Sequence, residues 1–432
     1  MNRACGWLAL ACCLELGLST ARADEAQPLT LKEAQEITLR NHPRISEAEL
    51  EALASRQVVG EVRAGFLPKA TFNATAVDAF ESNTRLAAGQ LNNPSVFDRN
   101  AEGFTVTQML TDFGRTAHLL NSSRLYSRAQ DENAEATREE ILLQVDVGFF
   151  TALKAQSVLA VARQTLEARR LLLDQVSALA TNKLRSELDL RFARVAYEEG
   201  RLLVAKAEND LEDAFAVLSQ LLGDRQKRVY QLVEEPAPTV APADSSALVD
   251  LALSRRPDLA RLRLERDAAM QFAKAQRALS YPTISAFGGG GLIPVRDPAH
   301  FDDRYAAAGV NLSLPVFDGG LNAAKRSEAE LRSEAATERL RDAEDTAIHD
   351  VRTAALNVNY ALQRIDLTQQ LLENASRAYE LAEARYKLGS TSIVELSQAQ
   401  LNKTEADIAH TSAKYEYGIQ RAILNFQIGA IQ

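Results

Sequence analysis

The chain has 432 residues, 46% of them hydrophobic but only 6% aromatic, with a formal net charge of −9. The acidic balance excludes a nucleic-acid binder, which needs a basic footprint. Abundant alanine and few aromatic rings favour thin helix–helix contacts over a bulky aromatic core.

Residues 1–23 read as a signal peptide. Asn2-Arg3 gives a positive start, Trp7 to Leu18 is an apolar run, and Ala21-Arg22-Ala23 is an A-x-A cleavage site. The run is too short to anchor across a bilayer, and Glu15 interrupts it. All three cysteines, Cys5, Cys12 and Cys13, lie inside this segment, so the mature chain carries no disulfide or thiol chemistry. The alternative is a lipoprotein lipidated at Cys12, after Ala9-Leu10-Ala11. Removal of the segment leaves 47 basic and 57 acidic side chains, hence −10. No later stretch reaches about 18 consecutive apolar residues, so no membrane-spanning helix is expected. An exported chain of this kind is either soluble or spans as β-strands.

The remainder repeats itself. Pro43 aligns with Pro257 and Pro68 with Pro282, both at an offset of 214. Asp112 then aligns with Asp318 and Gly114 with Gly320, at an offset of 206 that persists to Gly223 and Gly429. The first repeat is residues 24–223, the second 247–432, and the proline-rich stretch 224–246 links them.

Each repeat opens with a helix, about Leu31 to Gly65 and Ala247 to Ser280, broken near its start by His42-Pro43 and Arg256-Pro257. A two-strand ribbon follows, about 68–80 with 103–112 and 282–292 with 305–316. Phe104, Val106 and Leu110 give one apolar face, with Gln108 breaking it; Val310, Leu312, Leu314 and Val316 give the other. Next comes a seven-residue recurrence, Val145, Ala152, Leu159, Leu166, Leu173 and Ala180. Adding 206 gives Val351, Val358, Ile365, Leu372, Tyr379 and Tyr386. Such heptads demand a partner helix. Arg115 to Thr181 would be about 100 Å long as one helix. The pattern breaks at about 181–187 and 387–393 and then returns, so each repeat ends in a long helical hairpin with its tip at the break.

Four strands cannot close a barrel, since the smallest membrane barrels need about eight. Closure would need several copies; two would give eight strands and three would give twelve. Catalytic chemistry finds no footing. Thr111-Asp112-Phe113-Gly114 resembles a kinase metal-binding triplet but has no partner motifs, and Asp112 reads as a cap at a strand-to-helix turn. Gly288 to Gly291 lacks the residues of a phosphate loop. His42, His118, His300, His349 and His410 show no metal-ligand spacing. No enzyme and no cofactor is expected.

Over essentially the whole mature chain the sequence resembles the TolC-type outer-membrane factor family. The resemblance is carried by LTDFGRTA and LPVFDGGLNAA, the FLP and SYP ribbon starts, and ARYKLGSTSIVELSQAQ. It implies a mainly α chain with a β-barrel part. As a homotrimer it would form one twelve-stranded barrel in outer-membrane lipid, continued by a periplasmic α-helical tunnel. The implied function is the exit duct of a tripartite efflux system, passively conducting small molecules. Its implied partners are a periplasmic adaptor (a membrane fusion protein) and an inner-membrane pump, proton-driven (RND-type) in preference to ATP-driven (ABC). A duct for secreted polypeptides is the alternative within the same fold. A pore-free periplasmic coiled-coil scaffold is the rival from another class.

The resemblance also assigns roles at the tips. Arg385, Gly389, Glu395, Leu396 and Ala399 fill an adaptor-contacting pattern. In the first repeat Asp189, Leu190 and Ala193 match it, while Lys183 stands where glycine is expected. Glu395 and Gln398 fall on gate ring positions, and Tyr386 and Asp189 on positions that tie neighbouring hairpins shut, with Thr391 in place of an arginine. On physical grounds, three copies of Glu395 near one axis would form a negative ring that favours cations. The plainer reading of Glu395 is an exposed carboxylate favoured by a helix start.

Overall fold

A computed structural model describes residues 27–77, 99–224, 230–234, 244–293 and 303–431. The signal-peptide reading, the three cysteines and most of the linker lie outside these residues.

The chain begins with β1 (Gln27–Leu29), α1 (Leu31–Asn41) and α2 (Pro43–Arg63). Thr30 and Glu33 cap α1 reciprocally. Proline at the first position of α2 explains the separation, because it disfavours a helical residue before it. Helix α1 ends at Asn41, and His42 takes extended backbone. The second repeat divides in the same way into α5 (Ser245–Arg255) and α6 (Pro257–Arg277). There Arg256 holds Asp258 through two hydrogen bonds of 3.0 and 2.7 Å.

The ribbons are β2 (Lys69–Val77), β3 (Arg99–Thr111), β5 (Thr283–Leu292) and β6 (Arg304–Ser313). They form one antiparallel sheet in the order β2-β3-β5-β6. Two strand limits differ from the sequence reading, and the expected end of the first strand, 78–80, lies outside the described residues. Strand β3 starts at Arg99, four residues early, because its register with β2 continues to Val77. Strand β6 stops at Ser313, opposite Thr283, where Pro282 precedes β5 and Pro315, lacking an N–H, follows β6. The ladder also slips between Met109 and Thr111, so Leu110 is the extra residue of a bulge. Gln108, the polar break on the apolar face, donates its side-chain N–H to the carbonyls of Phe66 and Met109, each at 2.8 Å.

Paired residues share a face, and the two faces differ. One carries Phe72, Phe104, Val106, Ile284, Ala286, Val310 and Leu312; the other carries Thr71, Thr75, Thr105, Thr107, Ser285 and Asn311. Phe72 and Phe104 touch at 4.9 Å between ring centroids.

Each repeat ends in a hairpin: α3 (Arg115–Thr181) with α4 (Glu187–Leu221), and α7 (Leu321–Lys387) with α8 (Ile393–Gln427). Both long helices have 67 residues, about 100 Å at the α-helical rise. Asp112 and Asp318 cap their starts. Asp112 accepts from the Thr116 N–H at 2.7 Å and Asp318 from the Asn322 N–H at 3.0 Å. Heptad residues Val145, Ala152, Val351 and Val358 are buried between helices. Helix α3 contains an 18-residue window of mean hydropathy 1.4, which the sequence reading did not anticipate. Half of that window is buried, and α3 packs against α1, α2, α4, α6 and α8, so its apolarity serves the interior.

The linker contains an element that the sequence did not suggest. Strand β4 (Tyr230–Leu232) pairs in parallel with β1, Gln27 opposite Tyr230 and Leu29 opposite Leu232. Leu29, Tyr230 and Leu232 join a core with Val145, Phe149, Leu218 and Leu222 near the middle of the molecule. Three residues are too few for a period-two pattern to be visible.

Candidate functional site at the hairpin tips and the sheet edges

The two tips reverse direction by the same hydrogen-bond pattern. In the second, the Gly389 N–H reaches the Tyr386 carbonyl at 3.0 Å, and the Ser390 N–H reaches Arg385 at 2.9 Å. In the first, the Lys183 N–H reaches Ala180 and the Leu184 N–H reaches Leu179, both at 2.9 Å. This is a Schellman cap, which needs a left-handed residue after the helix. Gly389 supplies it at φ +74° and Lys183 at φ +59°.

The next helices are capped by serines. Ser186 and Asp189 form a reciprocal capping box. Ser392 accepts from the Glu395 N–H at 3.3 Å. The Glu395 carboxylate takes a short hydrogen bond from the Thr391 hydroxyl and lies 3.6 Å from Arg385. Its charge is therefore partly answered within its own tip. Gln398 is exposed and donates to Asn402 one turn on.

Between the tips lies an apolar cluster of Val176, Ala193, Ala382, Tyr386, Ile393 and Leu396, flanked by Leu190 and Ala399. Four of the residues assigned to adaptor contact, Leu190, Ala193, Leu396 and Ala399, thus pack in or against the interior that joins the two hairpins. Facing outward are Arg385, Lys183 and Gly389, with Leu184 at 70% and Leu388 at 84% exposure. The two leucines escaped the sequence reading because neither falls on the heptad seam.

A third residue, Arg185, was also missed. Arg185 lays its guanidinium over the Tyr386 ring, 4.3 Å from the centroid, and donates to the Tyr386 carbonyl at 2.8 Å. Burial pushes the Tyr386 phenol up, Arg185 opposes that, and the Asp189 carboxylate adds to it. Arg185 is the offset-206 counterpart of Thr391. The arginine that the resemblance expects at Thr391 thus stands at the matching position of the first tip, and from there it contacts Tyr386 of the second. The repeat alignment was the signal that could have found it.

Away from the tips, both edges of the molecule are unpartnered. Strands β2 and β6 bound the sheet, each with one side unpaired among the described residues. In the hairpin region α3 and α8 pack together, which leaves α4 and α7 at the margins. Exposed leucine-type stripes run along both: Leu188, Val195 and Leu202 on α4, and Tyr360, Leu367, Leu371 and Leu381 on α7. Where sheet meets helices, Phe66, Phe113, Tyr281 and Phe317 are exposed, and Phe113 and Tyr281 lie 6.0 Å apart.

An open sheet with one apolar face, continued by two hairpins about 100 Å long, defines a class of envelope protein rather than a soluble globule. The chain belongs to the outer membrane efflux protein family, which matches residues 35–224 and 248–430, and it is a protein of the outer membrane. It is 23% identical over 400 residues to the outer membrane protein TolC of Salmonella enteritidis, covering 90% of this chain and 80% of that one. It is 27% identical over 392 residues to the outer membrane protein OprJ of Pseudomonas aeruginosa, covering 88% and 79%. The alkaline protease secretion protein AprF of the same organism is 23% identical over 423 residues, covering 94% and 86%. Among solved structures, CusC superposes with a TM-score of 0.81 at 20% identity, covering 92% of each chain. That likeness concerns the fold.

Proposed function

We propose that the chain is one third of a trimeric exit duct that passively conducts small molecules through the outer membrane. The observation that carries this reading is the pair of complementary unfinished edges. Strand β6 of one copy would pair antiparallel with β2 of the next, and the α7 stripe would meet the α4 stripe. Such head-to-tail contacts close into a ring. The ring hides the unpaired strand edges and the apolar stripes at one stroke. Three copies give a twelve-stranded barrel with its apolar face in lipid and the exposed aromatic collar at the lipid boundary. The helices extend it into the periplasm as a tunnel.

At the tunnel end the tips are the contact surface for a periplasmic adaptor, through Arg385, Gly389, Lys183, Leu184 and Leu388. An inner-membrane pump supplies the energy, of the proton-driven type in preference to the ATP-driven one. The Arg185–Tyr386 clamp keeps the two hairpins of a protomer together, and Glu395 rings the constriction. The likeness to a protease secretion protein supports a second reading, a duct for polypeptides from an ATP-driven exporter. Planar-bilayer recording of the purified full chain tests the duct. A steady unit conductance, blocked by divalent cations and less so in Glu395→Ala, is expected. A monomer without conductance would overturn it.

A further inference from the structure

The polar face of the sheet carries two aromatic side chains that alternation alone does not explain. Phe287 and Tyr305 stand among threonines, serine and asparagine, on the side away from Phe104 and Val310. A ring on that face would ordinarily project from the wall. Neither does, because each lies over glycine. The far edge of the Phe287 ring rests on Gly309, its partner across the β5–β6 ladder. A Cβ built there would come within 2.9 Å of Cζ and 3.1 Å of Cε1, with no backbone atom among its nearest neighbours. The Tyr305 side chain crosses β5 at its partner Gly291, and its hydroxyl reaches over Gly103 on β3, where a Cβ would collide with it. Phe287 remains 46% exposed, so one face of its ring is open.

We infer that Phe287 and Tyr305 are bore-setting residues of the barrel, held flat against its inner wall by Gly309 and by Gly103. This rests on the duct reading, since only closure turns the polar face into a lumen. In the closed barrel each residue occurs three times, forming two aromatic bands on a wall of mostly small and polar side chains. Lying flat, the bands leave the lumen wide and offer passing solutes a planar apolar surface. Packing of a ring over a cross-strand glycine also restores contacts that the glycine lacks. Within the run Gly288 to Gly291, Gly291 is fixed by the close approach of the Glu102–Gly103 backbone, and Gly103 makes room for the Tyr305 hydroxyl.

Gly309→Val tests this, because the atoms nearest its Cβ are those of the Phe287 ring, which it would lift. Unit conductance in planar bilayers should fall on the order of twofold. The double variant Gly309→Val, Phe287→Ala should recover the native value. An unchanged conductance in the single variant, or a drop that persists in the double, would overturn the inference. Should Gly309→Val fail to insert, Phe287→Cys in the otherwise cysteine-free mature chain provides the second arm. A charged water-soluble thiol reagent should reduce its conductance, and indifference to the reagent would overturn the inference. Absence of any native conductance would instead overturn the duct reading itself.

Discussion

The two repeats turn at the same places with different residues. At the strand-to-helix turn the second repeat uses Gly319 and Gly320, with φ of +65° and +88°. The first uses Phe113 and Gly114, at +55° and +92°. At the tip the second uses Gly389 and the first Lys183. Twice, then, the first repeat places a side chain in the left-handed region, which costs about 1–2 kcal/mol relative to glycine. The backbone follows the Schellman and capping hydrogen bonds in both cases, so these, with the packing of the flanking helices, set the turn. Glycine makes it easier. Phe113 recovers something through Tyr281 and its place in the exposed collar. For Lys183 no such contact stands among the described residues.

The repeats differ again along the long helices. Helix α3 lies in the middle of the chain and α7 at its margin. Counterparts therefore meet different surroundings: Phe149 is fully buried where the second repeat has Ala355, and Glu139 is buried where it has the exposed Asp345. The largest effect expected from this asymmetry is at Phe149. Phe149→Ala should destabilise the protein by about 3–5 kcal/mol, read from the denaturation midpoint. A cost under about 1 kcal/mol would mean that the central core is no better packed than the marginal one.

A smaller effect belongs to Glu139. Burial first, then the Glu135 and Asp258 charges, push its carboxyl up to about 7. A carboxylate whose folded pKa is raised binds more protons in the folded state. Its contribution is fully present below about pH 4.5 and is lost as pH rises through about 7. Stability should fall across that window, and Glu139→Gln should flatten the fall and raise stability at pH 8 by about 2 kcal/mol. An identical profile in Glu139→Gln and the native chain would refute the assignment.

The smallest effect is at the tips. Lys183→Gly should stabilise by about 1 kcal/mol and Gly389→Lys destabilise by a similar amount. Equal and negligible effects would mean that the tips fray enough to relieve the strain.

Much of this architecture can be read without coordinates, because its signals are long. Heptads sustained from Val145 to Ala180 and echoed from Val351 specify paired helices, and the 206-residue offset ties one turn to its twin. What escapes is short or three-dimensional. Strands β1 and β4 have three residues each and exist only because the ends of the first repeat meet. The tip clamp could not be seen from either tip alone, since Arg185 and Tyr386 belong to different repeats. Leu396 and Ala193 fit a contact pattern by residue type, yet they pack inside, because a hairpin pair needs its own interior before it can offer a surface. Alternation likewise separates the faces of the ribbon but says nothing of rings lying over glycines.

Disulfide trapping tests the proposed closure of three chains through α4 and α7 most directly. Leu202 on α4 and Leu371 on α7 are 72% and 53% exposed and lie on the two stripes. Leu202→Cys would be combined in turn with Leu367→Cys and with Leu371→Cys, oxidised in native membranes, and the product sized after denaturation. Trimeric closure predicts a covalent ladder that ends at three chains. No inter-chain product from either pair, or a ladder that stops at two or runs past three, would contradict it.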